Sequence, residues 1–326
     1  MFWSAASVTL AVLTPGQDRL SGRDRAVWRR LEPAIATLFV GDQPLGPAAL
    51  IDGSGLFVAH AGAVSGETVN ARLGGKPLRM VVVSRERNTE LVLLKAEGYE
   101  GSARPFRAPA GDVPAGSLFA VLSTGPIPAD HVPTRRYGVL GSTKRGVPLS
   151  EIRFEAPAVQ FGTGLLLTES GELFGTVKAA LARTDAVTGN LRGGGATPII
   201  QRHNLSAYGP SALTVAYAVG PQVVRRVIDG FLSPSREVVF PAIGIFCVDA
   251  VGGGALIHSV TQGSPAAAAG IQASDILLDL GGSSIRDQLD FARVMLRQEV
   301  GRKVPVRLRR GGLIQVRDVV IGRAEQ

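Results

Sequence analysis

Residues 46–64 read GPAALIDGSGLFVAHAGAV. Two apolar runs, 48–51 and 56–59, flank the tetrapeptide Asp52-Gly53-Ser54-Gly55, and each is too short for an ordinary helix. Turn formers between short apolar runs predict two strands joined by a tight reversal. The same rhythm continues in both directions, through runs at 34–40, 68–73, 79–83, 91–95, 118–122, 137–140, 165–168, 173–177 and 213–219. Glycine (41 residues) and proline (20 residues) supply the punctuation. Many short strands with few helices between them predict β-barrels or a sandwich rather than βαβ units.

Around this region the pattern changes. Val27, Trp28 and Leu31 fall at helical spacing ahead of Pro33. Residues 183–211 are polar and glycine-rich and read as a long loop. Its triplet Gly193-Gly194-Gly195 is followed by no Lys-Ser/Thr, so it lacks the chemistry of a phosphate loop. Residues 221–231 read as a helix with Pro221 in its first turn and Val223, Val224, Val227 and Ile228 on one face. Ser233-Pro234-Ser235-Arg236 reads as a linker. Beyond Val238, four or five strands surround a helix at 287–298 with Leu289, Phe291, Ala292, Met295 and Leu296 as apolar positions.

Composition removes several function classes. A chain of 326 residues fits two domains. Lys+Arg 35 against Asp+Glu 27 gives a formal charge of +8. Residues 286–323 hold ten basic and four acidic side chains, a strip that reads as a solvated face or as a dock for an anionic surface. No aromatic residues interleave a basic stripe, so nucleic acid is not an expected partner. The single cysteine, Cys247, excludes an intramolecular disulfide and a multi-cysteine zinc site, and its apolar surroundings predict a small buried hydrophobe. His60, His131, His203 and His258 show no paired ligand spacing, so neither a metal nor a cofactor is expected.

Residues 2–14 are uncharged and mostly apolar, like the core of a signal peptide, but no basic residue precedes them and no Ala-x-Ala site follows directly. The run is too short to span a bilayer. It is read as a candidate export signal, which places the protein in the periplasm or another extracytoplasmic space; the cytoplasm is the alternative.

Taken in order, several segments resemble the HtrA/Deg branch of trypsin-like serine proteases. Residues 27–37 resemble its first helix and strand, and 46–64 its Gly-Ser-Gly-Val-Ile-Ile-Asp strand, turn and histidine strand. Residues 88–95 (NTELVLLK) resemble Thr-Asp-Leu-Ala-Val-Leu-Lys, and 215–219 are similar to Gly-Phe-Ala-Ile-Pro. Residues 115–125 and 137–145 resemble two further family segments. The resemblance implies a mainly β protein: a chymotrypsin/trypsin-like double six-stranded β-barrel followed by a PDZ domain, a β-sandwich with helices. It divides the chain into an N-terminal segment (1–25), a degenerate trypsin-like domain (26–232) and a PDZ domain (233–326).

The departures from the family pattern carry the functional expectation. Residues 156–176 read APAVQFGTGLLLTESGELFGT, and nine residues before Gly171 the nucleophile position holds Gly162. The histidine position holds Gly62 and the aspartate position Glu90, while Gln160 replaces a glycine of the oxyanion loop. A triad needs a hydroxyl or thiol, an imidazole and a carboxylate. Only the carboxylate is kept, so no catalytic residue is expected. The alternative is an active endopeptidase with a rewired site, in which His60, Glu90 and Thr163 act after two register shifts.

The C-terminal segment supplies the other expectation. Pro241-Ala242-Ile243-Gly244-Ile245 resembles the carboxylate-binding loop of PDZ domains, and GSPAAAAGI at 263–271 resembles Gly-Ser-Pro-Ala-x-x-Ala-Gly-Leu. The resemblance implies that Ala242, Ile243, Gly244 and Ile245 hold a peptide's terminal carboxylate while the peptide adds as a strand. Phe291 and Met295 are read either as specificity residues of the groove or as core. Implied partners are peptide or protein C-termini, with an active protease or an envelope protein among the candidates, and a homo-oligomer is compatible with the family pattern. A structural protein docking an anionic surface through its basic strip is the third reading.

Overall fold

The computed structural model describes Ala26 and residues 29–87, 89–108, 118–122, 126–131, 151–157, 164–168, 170–182 and 213–324. Residues 1–25, 109–117, 137–145, 158–163 and 183–212 lie outside that set, and with them the candidate export signal, the glycine triplet and Gln160, Gly162 and Thr163. Two compact units divide at Arg236/Glu237.

The first unit contains two closed six-stranded barrels. The first is built from β1 (Ile35–Val40), β2 (Gln43–Asp52), β3 (Leu56–His60), β4 (Thr68–Leu73), β5 (Lys76–Glu86) and β6 (Leu91–Ala96), in the order β1-β2-β3-β6-β5-β4. Leu38, Leu50, Phe57, Met80, Leu91, Leu93 and Leu94 are fully buried, so the apolar runs read in sequence are the barrel's core. β2 begins five residues earlier than its apolar run, despite Pro44 and Pro47. A register shift between Leu38 and Phe39 leaves Leu45, which lies between the two prolines, as the extra residue of β2.

The second barrel comprises β7 (Leu118–Leu122), β8 (Pro126–His131), β9 (Glu151–Pro157), β10 (Leu165–Thr168), β11 (Leu173–Ala182) and β12 (Leu213–Val219), in the order β10-β11-β12-β9-β8-β7. β8 and β9 are additions to the sequence reading. Pro126 and Pro128 disguise the first, whereas the second carries a plain alternation of Ile152, Phe154 and Ala156 with charged residues. The helix α1 (Pro221–Leu232) closes the unit. It has no side-chain cap, yet Val223, Val224, Val227, Ile228 and Phe231 are buried. Burial of five such side chains contributes on the order of 10 kcal/mol as an upper bound, against about 1 kcal/mol for a cap. Packing holds this helix.

The second unit contains a short pair, β13 (Pro241–Ala242) with β20 (Gly322–Arg323), and a sheet of β14 (Ile245–Asp249), β15 (Ala255–Val260), β16 (Ile276–Leu280), β18 (Lys303–Arg310) and β19 (Leu313–Val320), with β17 (Ser283–Ser284) paired to β16. Its helices are the single turn α2 (Pro265–Ala268) and α3 (Gln288–Leu296). The sheet order is β14-β15-β16-β18-β19, which among the described residues leaves β14 and β19 as edges. Cys247 is buried in the core of this unit, and burial, with Asp249 adding to it, pushes its thiol pKa up to about 12. Among the described residues no helix is long and apolar enough to cross a membrane.

Candidate functional site

In the first unit, β3 runs into a 3-10 turn at Ala61–Ala63, and this turn presents Gly62. Glu90 sits in the reversal before β6 with a φ of 57°, a left-handed conformation that side chains with a Cβ seldom adopt. Two contacts fasten that reversal. Glu86, itself buried, accepts from the amide and the hydroxyl of buried Thr89. The Ala61 amide donates to the Glu90 carbonyl at 2.7 Å, which ties the Gly62 turn to the Glu90 turn.

His60 lies between these turns and is almost wholly buried. Its Nδ1 accepts from the Gly62 amide at 3.0 Å. An accepting Nδ1 carries no proton, so in the neutral ring the proton is on Nε2. Nε2 faces Glu90 Oε2 at 3.2 Å, off the axis of a well-formed hydrogen bond. The structure therefore brings His60, Gly62 and Glu90 together. Nδ1 is thus committed to the Gly62 amide, while Nε2 approaches the Glu90 carboxylate without a well-formed hydrogen bond. The support from Glu86 and Thr89 was missed in sequence; the Glu86-x-x-Thr89 spacing was its only signal.

In the second unit, β13 delivers the chain into the Ile243–Gly244–Ile245 loop. Ile243 is buried in the domain core and its carbonyl accepts from the Ala266 amide at 2.9 Å. Gly244 has a φ of 76°, and its carbonyl accepts from the Thr261 amide at 2.8 Å and from Ser264 Oγ at 3.4 Å. A Cβ on Gly244 would stand 2.2 Å from Ser264 Cβ, so only glycine fits. Ser264 also caps α2, accepting from the Ala267 amide. Among the described residues, the amides of Ile243 and Gly244 donate to no group. Two successive uncommitted amides beside the free edge of β14 form the setting in which a carboxylate is bound.

The helix α3 packs beside β13, β14, β15 and β16. Asp287 caps it through the Asp290 amide at 2.7 Å, and Asp249, at the end of β14, accepts from the Gln288 amide at 3.1 Å. The helix start is thus tied to the edge strand. Phe291 and Met295 are buried in the core cluster with Ile243, Cys247 and Ile257. The partly exposed helix positions are Gln288, Leu289 and Arg293. Farther from the loop, Arg310 donates through Nε (2.6 Å) and Nη2 (2.7 Å) to buried Asp275. Burial raises the pKa of the Asp275 carboxyl, but hydrogen bonds and charge from Arg310, with the Gln272 amide, outweigh it and leave the group below the ordinary value. Arg286 does the same for Asp290, whose hydrogen bond to that guanidinium exceeds the cost of burial.

Residues 241–320 match the family model of the PDZ domain. The "Serine protease Do-like HtrA" of Lactococcus lactis subsp. lactis (strain IL1403) is 22% identical over 279 residues, covering 77% of this chain and 62% of that protein. The "Putative serine protease HhoA" of Synechocystis sp. (strain ATCC 27184 / PCC 6803 / Kazusa) is 27% identical over 281 residues, covering 82% of this chain and 67% of that protein. The chain thus matches less than two thirds of the lactococcal protein's length. Among solved structures, the HtrA-type protease AlgW with decapeptide superposes with a TM-score of 0.64 at 15% identity, covering 92% of this chain and 98% of that one. A serine endoprotease from Yersinia pestis superposes with a TM-score of 0.59 at 15% identity, covering 94% and 99%. The described barrels, the matched C-terminal domain and these likenesses agree: the chain has the HtrA/Deg-like architecture, a trypsin-type double barrel followed by a C-terminal PDZ domain.

Proposed function

We propose that this chain captures peptide or protein C-termini through the loop at Ile243–Gly244–Ile245 and does not hydrolyse them, and that it works in an extracytoplasmic space on envelope proteins or on a partner protease. The observation that carries the reading is the pair of uncommitted amides at Ile243 and Gly244, next to an edge strand that lies beside α3. A terminal carboxylate would take those donors while the peptide backbone extends the sheet at β14. AlgW carries a decapeptide in its own structure, which supports peptide capture in this architecture. The inactive half of the reading is supported by Gly62 and Gly162 at the imidazole and nucleophile positions, neither of which has a side chain that reacts.

The test is a binding titration of the full chain against a library of peptides with free C-termini, each matched with its C-terminal amide. Capture predicts micromolar-range binding that is lost with the amide, because an amide removes the charge that the loop holds. Equal binding of acid and amide forms would sink the reading. One observation favours a rewired peptidase instead: the 3.2 Å approach of His60 to Glu90. That reading predicts casein cleavage abolished by His60→Ala and by Thr163→Ala.

A further inference from the structure

The two edges of the C-terminal sheet are built differently. β14, beside the peptide loop, carries a register shift between Phe246 and Cys247. β19 pairs with β18 without a shift from Lys303↔Val320 to Arg310↔Leu313. It holds no proline, and its only charged residues are the neighbouring, oppositely charged Arg317 and Asp318. Instead Leu313, Ile314, Val316 and Val320 are each more than half exposed, Val316 by 57%. A regular eight-residue edge with four exposed apolar side chains is a template for another strand.

The hairpin fixes which backbone groups face outward. Gly311 and Gly312, at φ 53° and 85°, make a two-residue turn, so Arg310 and Leu313 form a hydrogen-bonded pair. Alternation then turns the amides and carbonyls of Ile314, Val316, Asp318 and Val320 to the open edge. An independent contact agrees with this phase. Pro305, opposite Asp318, has no amide, and its carbonyl accepts from Gly281 on the other side of β18 at 2.8 Å.

A two-fold axis normal to a sheet keeps each side chain on its own face, so two copies of β19 must pair about a single residue. Centred on Val316, the antiparallel register sets Val316 against Val316, Ile314 against Asp318, Gln315 against Arg317 and Leu313 against Val319. Gln315 and Arg317 already hydrogen-bond within one strand, at 2.8 Å, so their polar groups suit each other. Centring on Arg317 instead would oppose two guanidinium groups. In the Val316 register three of the four outward residues, Ile314, Val316 and Asp318, meet outward residues, giving about six backbone hydrogen bonds. We propose that β19 is the interface for a second copy of this chain, which joins two C-terminal sheets into one across Val316.

The test compares the full chain with Val316→Lys by sedimentation across a wide concentration series. Two lysines facing across the axis should weaken self-association about tenfold. Because Val316 is exposed, the variant should fold, and unchanged peptide binding would report that. The mass of the unaltered chain should rise with concentration to twice the state held by Val316→Lys. Mild oxidation of Val316→Cys should give a covalent dimer, whereas Leu313→Cys, which faces Val319, should not. Identical masses for both proteins with no Val316→Cys cross-link would overturn the proposal. So would β19 amides that gain exchange protection only when an extended acidic peptide is added, since the edge would then serve a foreign strand.

Discussion

His60 shows how one residue's orientation is decided by neighbours that a motif does not name. The Gly62 amide takes Nδ1, and Glu90, at positive φ, stands against Nε2. Substituting His60 by Ala removes a buried ring and leaves the Gly62 amide without its acceptor. The expected cost is about 1–3 kcal/mol in unfolding of the first unit, read by urea denaturation, with no effect on any peptide cleavage. The identities at Gly62 and Glu90 were legible from spacing to neighbouring strands. The ring's orientation was not, because it depends on a 3-10 turn and on a left-handed Glu90. Gly244→Ala is the sharpest single change in the second unit. The added Cβ meets Ser264 at 2.2 Å in a conformation that disfavours it, so peptide binding should vanish and stability should fall by roughly 1–3 kcal/mol. Retained binding in that variant would remove the glycine argument.

The element scale shows which patterns a sequence displays and which it conceals. α1 and α3 were readable because apolar spacing and a terminal proline or aspartate mark them directly. β8 was concealed by two prolines, and β2 appeared short for the same reason, since a bulge that tolerates proline leaves no trace in composition. β9 was legible and overlooked. Phe291 and Met295 could be placed on one helical face, but only the packing puts both in the core.

The contact that fastens β16 to β18 gives a pH prediction. Asp275 has a folded pKa below its ordinary 3.8, so its stabilisation is complete above that value and is lost as pH falls through the lower folded value. Asp275→Asn should cost the second unit about 3 kcal/mol at neutral pH, by loss of a buried charge pair. Its denaturation curve and that of the unaltered chain should converge as pH drops below 3.8. A gap that persists in acid would mean that the pair is not what Asp275 contributes.

For the whole molecule, the two units carry different chemistry. The first contains two closed barrels, and the proposed function rests on Gly62 and Gly162 in its sequence, glycines where the family resemblance expects reactive side chains. The second keeps its peptide loop intact, down to the glycine that no other residue can replace. The relatives are named as serine proteases, so the proposed loss of hydrolysis is the part of the account that separates this chain from them. The most direct test is hydrolysis of quenched-fluorescent casein by the purified full chain. The account predicts a rate equal to buffer, unchanged by His60→Ala and by Thr163→Ala. Turnover above buffer that either substitution abolishes would contradict it.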